Sequence, residues 1–225
     1  MLFRLTLFLI LSTLLARAQS SEVAFGIGTF NYTGDLARNY TILNSKPAGM
    51  IAYRSNISRS VSFRTALTAG KIGASDAKRP IDAFATERNA SFNIFLYELS
   101  LATEYHFLDW RSEKRPLRFT PYVVTGLGLF GMAGIPTKAA EYSSVQPSVQ
   151  LGVGFKYVIN PLWYLGLEFS MRKTFFDYLD NISQGNPARK NYQYGNPNDN
   201  DNYFFFGLTL TRTFYTIPCP GNPYK

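Results

Sequence analysis

The sequence predicts an all-β chain folded as an eight-stranded antiparallel up-and-down transmembrane β-barrel. Three observations predict it. Long segments alternate between apolar residues and small or polar ones, as expected of strands whose side chains point alternately to two faces. The connections between these segments alternate in length, long then short. The composition is 16% aromatic with 17 glycines, which suits interfacial aromatic girdles around a crowded interior.

The chain opens with a secretory leader. Arg4 supplies positive charge, Leu5 to Leu15 form an apolar core, and Ala16-Arg17-Ala18 fits the small-x-small cleavage rule. Residues 1–18 are therefore read as a signal peptide, 19–216 as the barrel and 217–225 as a C-terminal tail. The apolar run is short for a membrane-spanning helix, and no later segment reaches about 18 apolar residues. The formal net charge is +8, and cleavage removes Arg4 and Arg17 to leave +6. That charge fits an acidic partner or an anionic lipid headgroup, and export argues against nucleic acid.

Eight strand candidates follow, near 22–32, 48–56, 60–71, 91–107, 118–131, 147–158, 162–176 and 203–215. The seventh alternates most cleanly. Trp163, Leu165, Leu167, Phe169 and Met171 oppose Tyr164, Gly166, Glu168, Ser170 and Arg172. It is long enough for a lipid-crossing strand, which needs roughly 9–11 tilted residues. The fourth sets Phe95, Tyr97, Leu99, Leu101, Tyr105 and Phe107 against Glu98, Ser100, Ala102, Glu104 and His106. The sixth and eighth behave alike, with Arg212 interrupting the apolar face of the eighth near its end, where a long basic side chain can snorkel. The first two strands fit less cleanly. An apolar outside leaves Arg64, Glu98, Glu104, Lys156, Glu168 and Arg172 facing the lumen. An eight-stranded barrel has room there for side chains only, so these charges are expected to pair in a solid core without an open pore. A soluble lipocalin-like barrel would need the reverse distribution.

The connections near 33–47, 72–90, 132–146 and 177–202 are long, and those near 57–59, 108–117 and 159–161 are shorter. Bacterial outer-membrane barrels have long external loops and short periplasmic turns, which puts both termini in the periplasm. The basic turn holding Arg111, Lys114, Arg115 and Arg118 then faces the periplasm. It reads either as a solvated turn with Trp110 as an interface anchor or as a docking patch for an acidic partner. Cys219, the single cysteine, lies in the same compartment and is either free or bonded to another chain.

Other motifs carry less. Gly126-Leu-Gly128-Leu-Phe-Gly131 matches a dinucleotide fingerprint, but Met132-Ala-Gly-Ile-Pro136 cannot start the helix such a site needs. His106 is the sole histidine; a rim hydrolase would need a serine beside it, and Ser100 and Ser112 are the nearest candidates. Asn198-Asp-Asn-Asp-Asn202 lacks the glycine and distal glutamate of a calcium loop and reads as a solvated external segment. No cofactor, catalytic residue, metal or small-molecule substrate is expected.

The segment Thr174-Phe-Phe-Asp-Tyr-Leu-Asp-Asn-Ile-Ser183 resembles the PorG-like outer-membrane barrels of the type IX secretion system. So do Gly26-Ile-Gly28 with Tyr32-Thr-Gly-Asp-Leu36, Arg88-Asn89 with Tyr97-Glu98, and Glu104-Tyr-His-Phe-Leu108. Thr120-Pro-Tyr122, Gly152-Val-Gly154-Phe-Lys156-Tyr157 and Asn202-Tyr-Phe-Phe205 extend the likeness along the chain. Asn181 departs from it, standing where a second acid is usual, and so does the long loop from Gln184 to Asn202. The resemblance implies a non-enzymatic barrel that holds a periplasmic ring, built of a lipoprotein and its partner, against the outer-membrane lipid. It also singles out Asp177, Tyr178 and Asp180, at the external rim, as a motif loop that either folds onto the barrel mouth or meets a partner. A general envelope-stabilising or adhesive surface barrel is the alternative.

Overall fold

The computed structural model describes residues 20–78, 80, 83–111, 117–135, 141–182 and 200–215. Eight strands run β1 (Ser20–Thr33), β2 (Lys46–Asn56), β3 (Val61–Ser75), β4 (Ser91–His106), β5 (Phe119–Ala133), β6 (Val145–Asn160), β7 (Trp163–Thr174) and β8 (Asn202–Tyr215). Each pairs antiparallel with its neighbours in sequence, and β1 pairs with β8 from Ser20↔Tyr215 to Thr33↔Asn202, closing the barrel. Closure leaves no strand edge unpaired, the condition for β-structure in a hydrocarbon solvent. One short helix, α1 (Ala83–Arg88), lies between β3 and β4. The segment read as a leader, the Lys114–Arg115 part of the basic turn, most of the Gln184–Asn202 loop and the tail with Cys219 fall outside the described residues.

The wall is apolar outside. Phe25, Ile27, Ile51, Leu67, Leu99, Leu101, Leu127, Leu151, Val153, Leu208 and Leu210 are all exposed. Aromatic rings flank them: Phe95, Tyr97, Phe169 and Phe206 towards one end, Tyr53, Phe63, Tyr105, Phe119, Phe155 and Phe214 towards the other. From Phe204 to Phe214 along β8 the wall rises roughly 25 Å at ordinary strand rise and tilt, the height of a membrane-barrel apolar band. Arg212 lies on this outer face with its guanidinium over the rings of Trp163 (5.8 Å) and Phe214 (5.1 Å), so the interrupting charge is held at the aromatic border.

The two ends differ. The loop end carries the β1–β2, β3–β4, β5–β6 and β7–β8 connections; the turn end carries the two shortest, β2–β3 and β6–β7, with the longer β4–β5 turn and both ends of the barrel sequence. Small residues admit large ones inside. Gly154 leaves space for Tyr122: a Cβ there would sit 2.3 Å from the Tyr122 ring.

Candidate functional site

The lumen holds Glu22, Glu98, Glu104 and Glu168 with Arg54, Arg64, Lys156 and Arg172, all buried. The sequence pattern on β4, β6 and β7 located most of this set; Glu22 and Arg54, on the less regular β1 and β2, were missed. Their inward neighbours Ala24, Phe30, Met50 and Ala52 are apolar, so the two faces of these strands differ little in polarity.

Glu104 is the hub. Its Oε1 accepts from Arg54 Nε at 2.8 Å and Arg64 Nη1 at 3.1 Å, and its Oε2 accepts from Lys156 Nζ at 2.6 Å. Arg64 on β3 also reaches Glu168 on β7, with Nη2 donating to Oε1 at 3.3 Å. Three strands lie between these two on either side of the eight-stranded ring, so the pair crosses the lumen. Tyr122 donates to Glu168 at 3.1 Å. Towards the loop end, Arg172 donates to Glu98 at 3.4 Å and Tyr203 donates to the same carboxylate. A buried charge without such partners would cost several kcal/mol, which accounts for the opposite sign found beside each one.

The β4–β5 turn folds back into the turn end. The Trp110 ring lies 5.1 Å from that of Tyr164 and 5.7 Å from that of His106. It faces the lumen, correcting its reading as an interface anchor. Arg111 Cζ stands 4.6 Å over the Trp110 ring. Its Nη2 donates to Glu22 at 3.0 Å, Asn56 Oδ1 at 2.8 Å and Ser62 Oγ at 3.2 Å, and its Nη1 donates to the carbonyl of Arg59 at 3.1 Å. Arg111 is therefore engaged in the barrel closure, which corrects its reading as a solvated side chain of the basic turn. Arg118 is exposed at this end. Lys114, Arg115 and Cys219 lie outside the described residues.

His106 is fully buried. Its Nδ1 lies 3.2 Å from the Ser60 carbonyl and its Nε2 lies 2.8 Å from Lys156 Nζ. A neutral ring that donates to the carbonyl and accepts from the ammonium satisfies both contacts. Ser100 Oγ is directed at the Ala66 carbonyl at 3.5 Å, so His106 and Ser100 form no dyad.

At the loop end the residues of the motif loop form a cap. Leu36, Ala37, Phe176, Leu179 and Ile182 pack on Phe30, Ile94, Phe130, Tyr203 and Phe205 from the wall. Tyr32 Oη lies 2.6 Å from Asp180 Oδ2 and 2.7 Å from Asp201 Oδ1. The other oxygens of these carboxyls accept from the amides of Ile182 and Leu179, each at 2.8 Å. Burial raises Asp180 to about 7, opposed by the hydrogen bonds from Tyr32 and Ile182. Burial and then the neighbouring Asp180 hold Asp201 well above the ordinary carboxylate range. Asp201 is therefore part of the cap, which corrects the solvated reading of the Asn198–Asn202 run at that position. Asp177 is buried at the same rim, and Tyr178 stacks on Tyr142 at 5.3 Å. Asn181 has φ 64°, a left-handed conformation in which asparagine is enriched. Arg88 ties α1 to the cap, donating to Asp76 at 2.7 Å and to the Asp35 carbonyl at 3.0 Å. Among the described residues, no group of three or more His, Cys, Asp or Glu side chains could hold a metal ion.

The family model for the domain of unknown function DUF6089 matches residues 2–222. The chain belongs to that family. No curated protein matches its sequence. Among solved structures it is similar to Neisserial surface protein A, with a TM-score of 0.54 and 12% identity over 86% of this chain and 97% of that one. It is also similar to the outer-membrane protein OprG from Pseudomonas aeruginosa (TM-score 0.49, 11% identity, 89% and 98% covered). Ail of Yersinia pestis is a further match (TM-score 0.48, 10% identity, 87% and 98% covered). At such identities the likeness concerns the fold alone, that of an eight-stranded outer-membrane barrel.

Proposed function

We propose that this DUF6089 protein is a non-enzymatic outer-membrane barrel with both termini in the periplasm. In this reading it anchors the periplasmic ring of the type IX secretion machinery, a lipoprotein and its partner. The carrying observation is the lumen crossed by Arg64 and Glu168 and closed at its turn end by Trp110 and Arg111. A barrel filled in this way offers its ends and its outer wall, rather than a channel, for work. The PorG-like motifs support the specific assignment. Docking then rests on Lys114, Arg115, Arg118 and the tail with Cys219, since Arg111 is engaged inside.

Reversing the charges of Lys114, Arg115 and Arg118 tests this. Mild-detergent isolation from outer membranes should lose the co-purifying ring lipoprotein while the heat-shifted gel band of the folded barrel persists. Undiminished recovery of the ring, or its absence from wild-type preparations, overturns the assignment. A reductant-sensitive partner would give Cys219 an intermolecular role.

A second reading is a general envelope-stabilising or adhesive surface barrel, favoured by the elaborate cap and by the fold shared with a neisserial surface protein. Deleting residues 184–199 separates the two: adhesion fails under the second reading, and secretion continues.

A further inference from the structure

The β1–β2 connection does two things at the rim. Its first part turns into the barrel mouth, with Gly34 and Ala37 exchanging backbone hydrogen bonds at 2.9 and 3.2 Å and Leu36 buried in the cap. Its second part crosses to the outside. The Tyr40 ring packs edge-on against Phe169 at 5.5 Å and Phe204 at 5.4 Å, both on outward-facing positions of β7 and β8. Asn31 belongs to the outward set of β1, with Phe25 and Ile27, yet it is only 1% exposed. The connection covers it: Asn31 Nδ2 donates to the Thr41 carbonyl at 2.6 Å and to Ser45 Oγ at 3.1 Å. The segment therefore lies over the outer wall and shields an amide that would otherwise face lipid.

On this segment stand Ile42 and Leu43, in a one-turn 3-10 helix, 77% and 75% exposed. Two large apolar side chains so exposed at a loop tip are unfavourable in water, at roughly 25 cal/mol per Å² of apolar surface. Through Tyr40, Phe169 and Phe204 they continue the apolar band that ends at this height. Arg38 and Lys46 flank them, and no acid occurs between Asp35 and Asp76. An apolar tip between cations, continuous with a lipid-facing wall, is the chemistry of an interfacial lipid anchor.

We propose that residues 38–46 form a lipid-facing strap. It lies across the outside of β1, β8 and β7 and inserts Ile42 and Leu43 among the acyl chains of the adjoining leaflet. The strap links the membrane surface to the cap, because the same connection carries Leu36 inside and Tyr40 outside. This goes beyond the secretion role and holds whether or not that role is correct.

Single-cysteine variants Ile42→Cys and Leu43→Cys, made in a Cys219→Ser background and labelled with an environment-sensitive fluorophore, test it in phosphatidylcholine vesicles. Phe206→Cys is the lipid-facing reference and Lys78→Cys, exposed on the β3–β4 connection, is the water reference. Labels at 42 and 43 should be quenched by lipid carrying a shallow doxyl group as strongly as the label at 206, and should resist aqueous iodide. Quenching by iodide as at 78, without quenching by doxyl lipid, overturns the proposal. Protection from both quenchers means that a second copy of the chain covers the tip, and overturns it equally.

Discussion

Glu104→Gln is the sharpest test of how the lumen is held together. The substitution keeps the shape and a hydrogen-bond acceptor but removes a charge that serves Arg54, Arg64 and Lys156 at 2.8, 3.1 and 2.6 Å. All four side chains are buried. Arg64 keeps Glu168 and Arg54 keeps a contact to Thr211 Oγ1 at 3.3 Å. Lys156 loses the carboxylate at 2.6 Å and keeps as direct contacts neutral His106 and the faces of Tyr122 and Tyr164 at 4.9 and 5.3 Å. Removing one partner of a buried ion pair costs about 3–5 kcal/mol, most of it from the stranded opposite charge. A chain of this size loses about 2–4 °C of Tm per kcal/mol, giving a fall of about 6–20 °C.

The assay is equilibrium urea unfolding in detergent micelles, followed by tryptophan fluorescence and extrapolated linearly. The control is the double variant Glu104→Gln, Lys156→Met. If the stranded ammonium is the source of the cost, deleting it restores stability, and the double variant should be less destabilised than the sum of the singles by about 1–3 kcal/mol. A loss under about 1 kcal/mol for Glu104→Gln, or strict additivity, would refute the argument that these charges are paired away from water.

The cap has a pH dependence with a definite sign. Asp180 titrates at about 7 in the cap against 3.8 for an ordinary aspartate, so the docked form holds the extra proton more tightly. Its contribution is complete below about pH 4, falls as the pH rises to about 7, and is flat beyond. Amide exchange at Leu179 and Ile182, corrected for intrinsic rates, should accelerate through this window in wild type and stay level when Asp180 and Asp201 are both replaced by Asn. Identical profiles would remove the carboxyl pair as the cause. Gly154→Ala forces the Tyr122 ring, 2.3 Å from the new Cβ, to move, at a cost of about 1–3 kcal/mol. In a Tyr122→Ala background the same change should cost nearly nothing, and an undiminished cost there would place the clash elsewhere.

What was legible in the sequence follows the physics of each region. A strand between lipid and a charged lumen has two very different environments, so β4, β6 and β7 declared both faces and their pattern placed Glu98, Glu104, Lys156, Glu168 and Arg172 inside. β1 and β2 run beside the apolar cap, where Ala24, Phe30, Met50 and Ala52 blur the contrast, and Glu22 and Arg54 passed unnoticed. The turn and the cap depend on where a connection folds, which alternation does not encode. Nothing in the order Asp109-Trp110-Arg111 distinguishes a solvated turn from one tucked under Tyr164, and Asp201 meets Tyr32 only because β8 closes on β1. One signal was available for the cap. The family-like motifs at Tyr32–Leu36, Arg88-Asn89 and Thr174–Ser183 lie far apart in sequence, and residues of all three meet at one end of the barrel.

That convergence bears on where the protein acts. Residues of a barrel wall need only supply size and polarity, and a lumen charge network tolerates several arrangements that balance charge. A rim that ties Tyr32 to Asp180 and Asp201, and Arg88 to Asp76 and to the backbone of Asp35, fixes three connections in one geometry. Ordering connections costs about 1–2 kcal/mol per residue in backbone entropy, a cost a mere membrane plug has no need to bear. The turn end is likewise closed by a specific side chain, Arg111, reaching five acceptors on β1, β2, the β2–β3 turn and β3. Among the described residues, both ends are thus pinned by specific side-chain contacts. Pinned ends suit the scaffold role proposed above, and under the strap proposal they fix the base from which residues 38–46 reach the membrane.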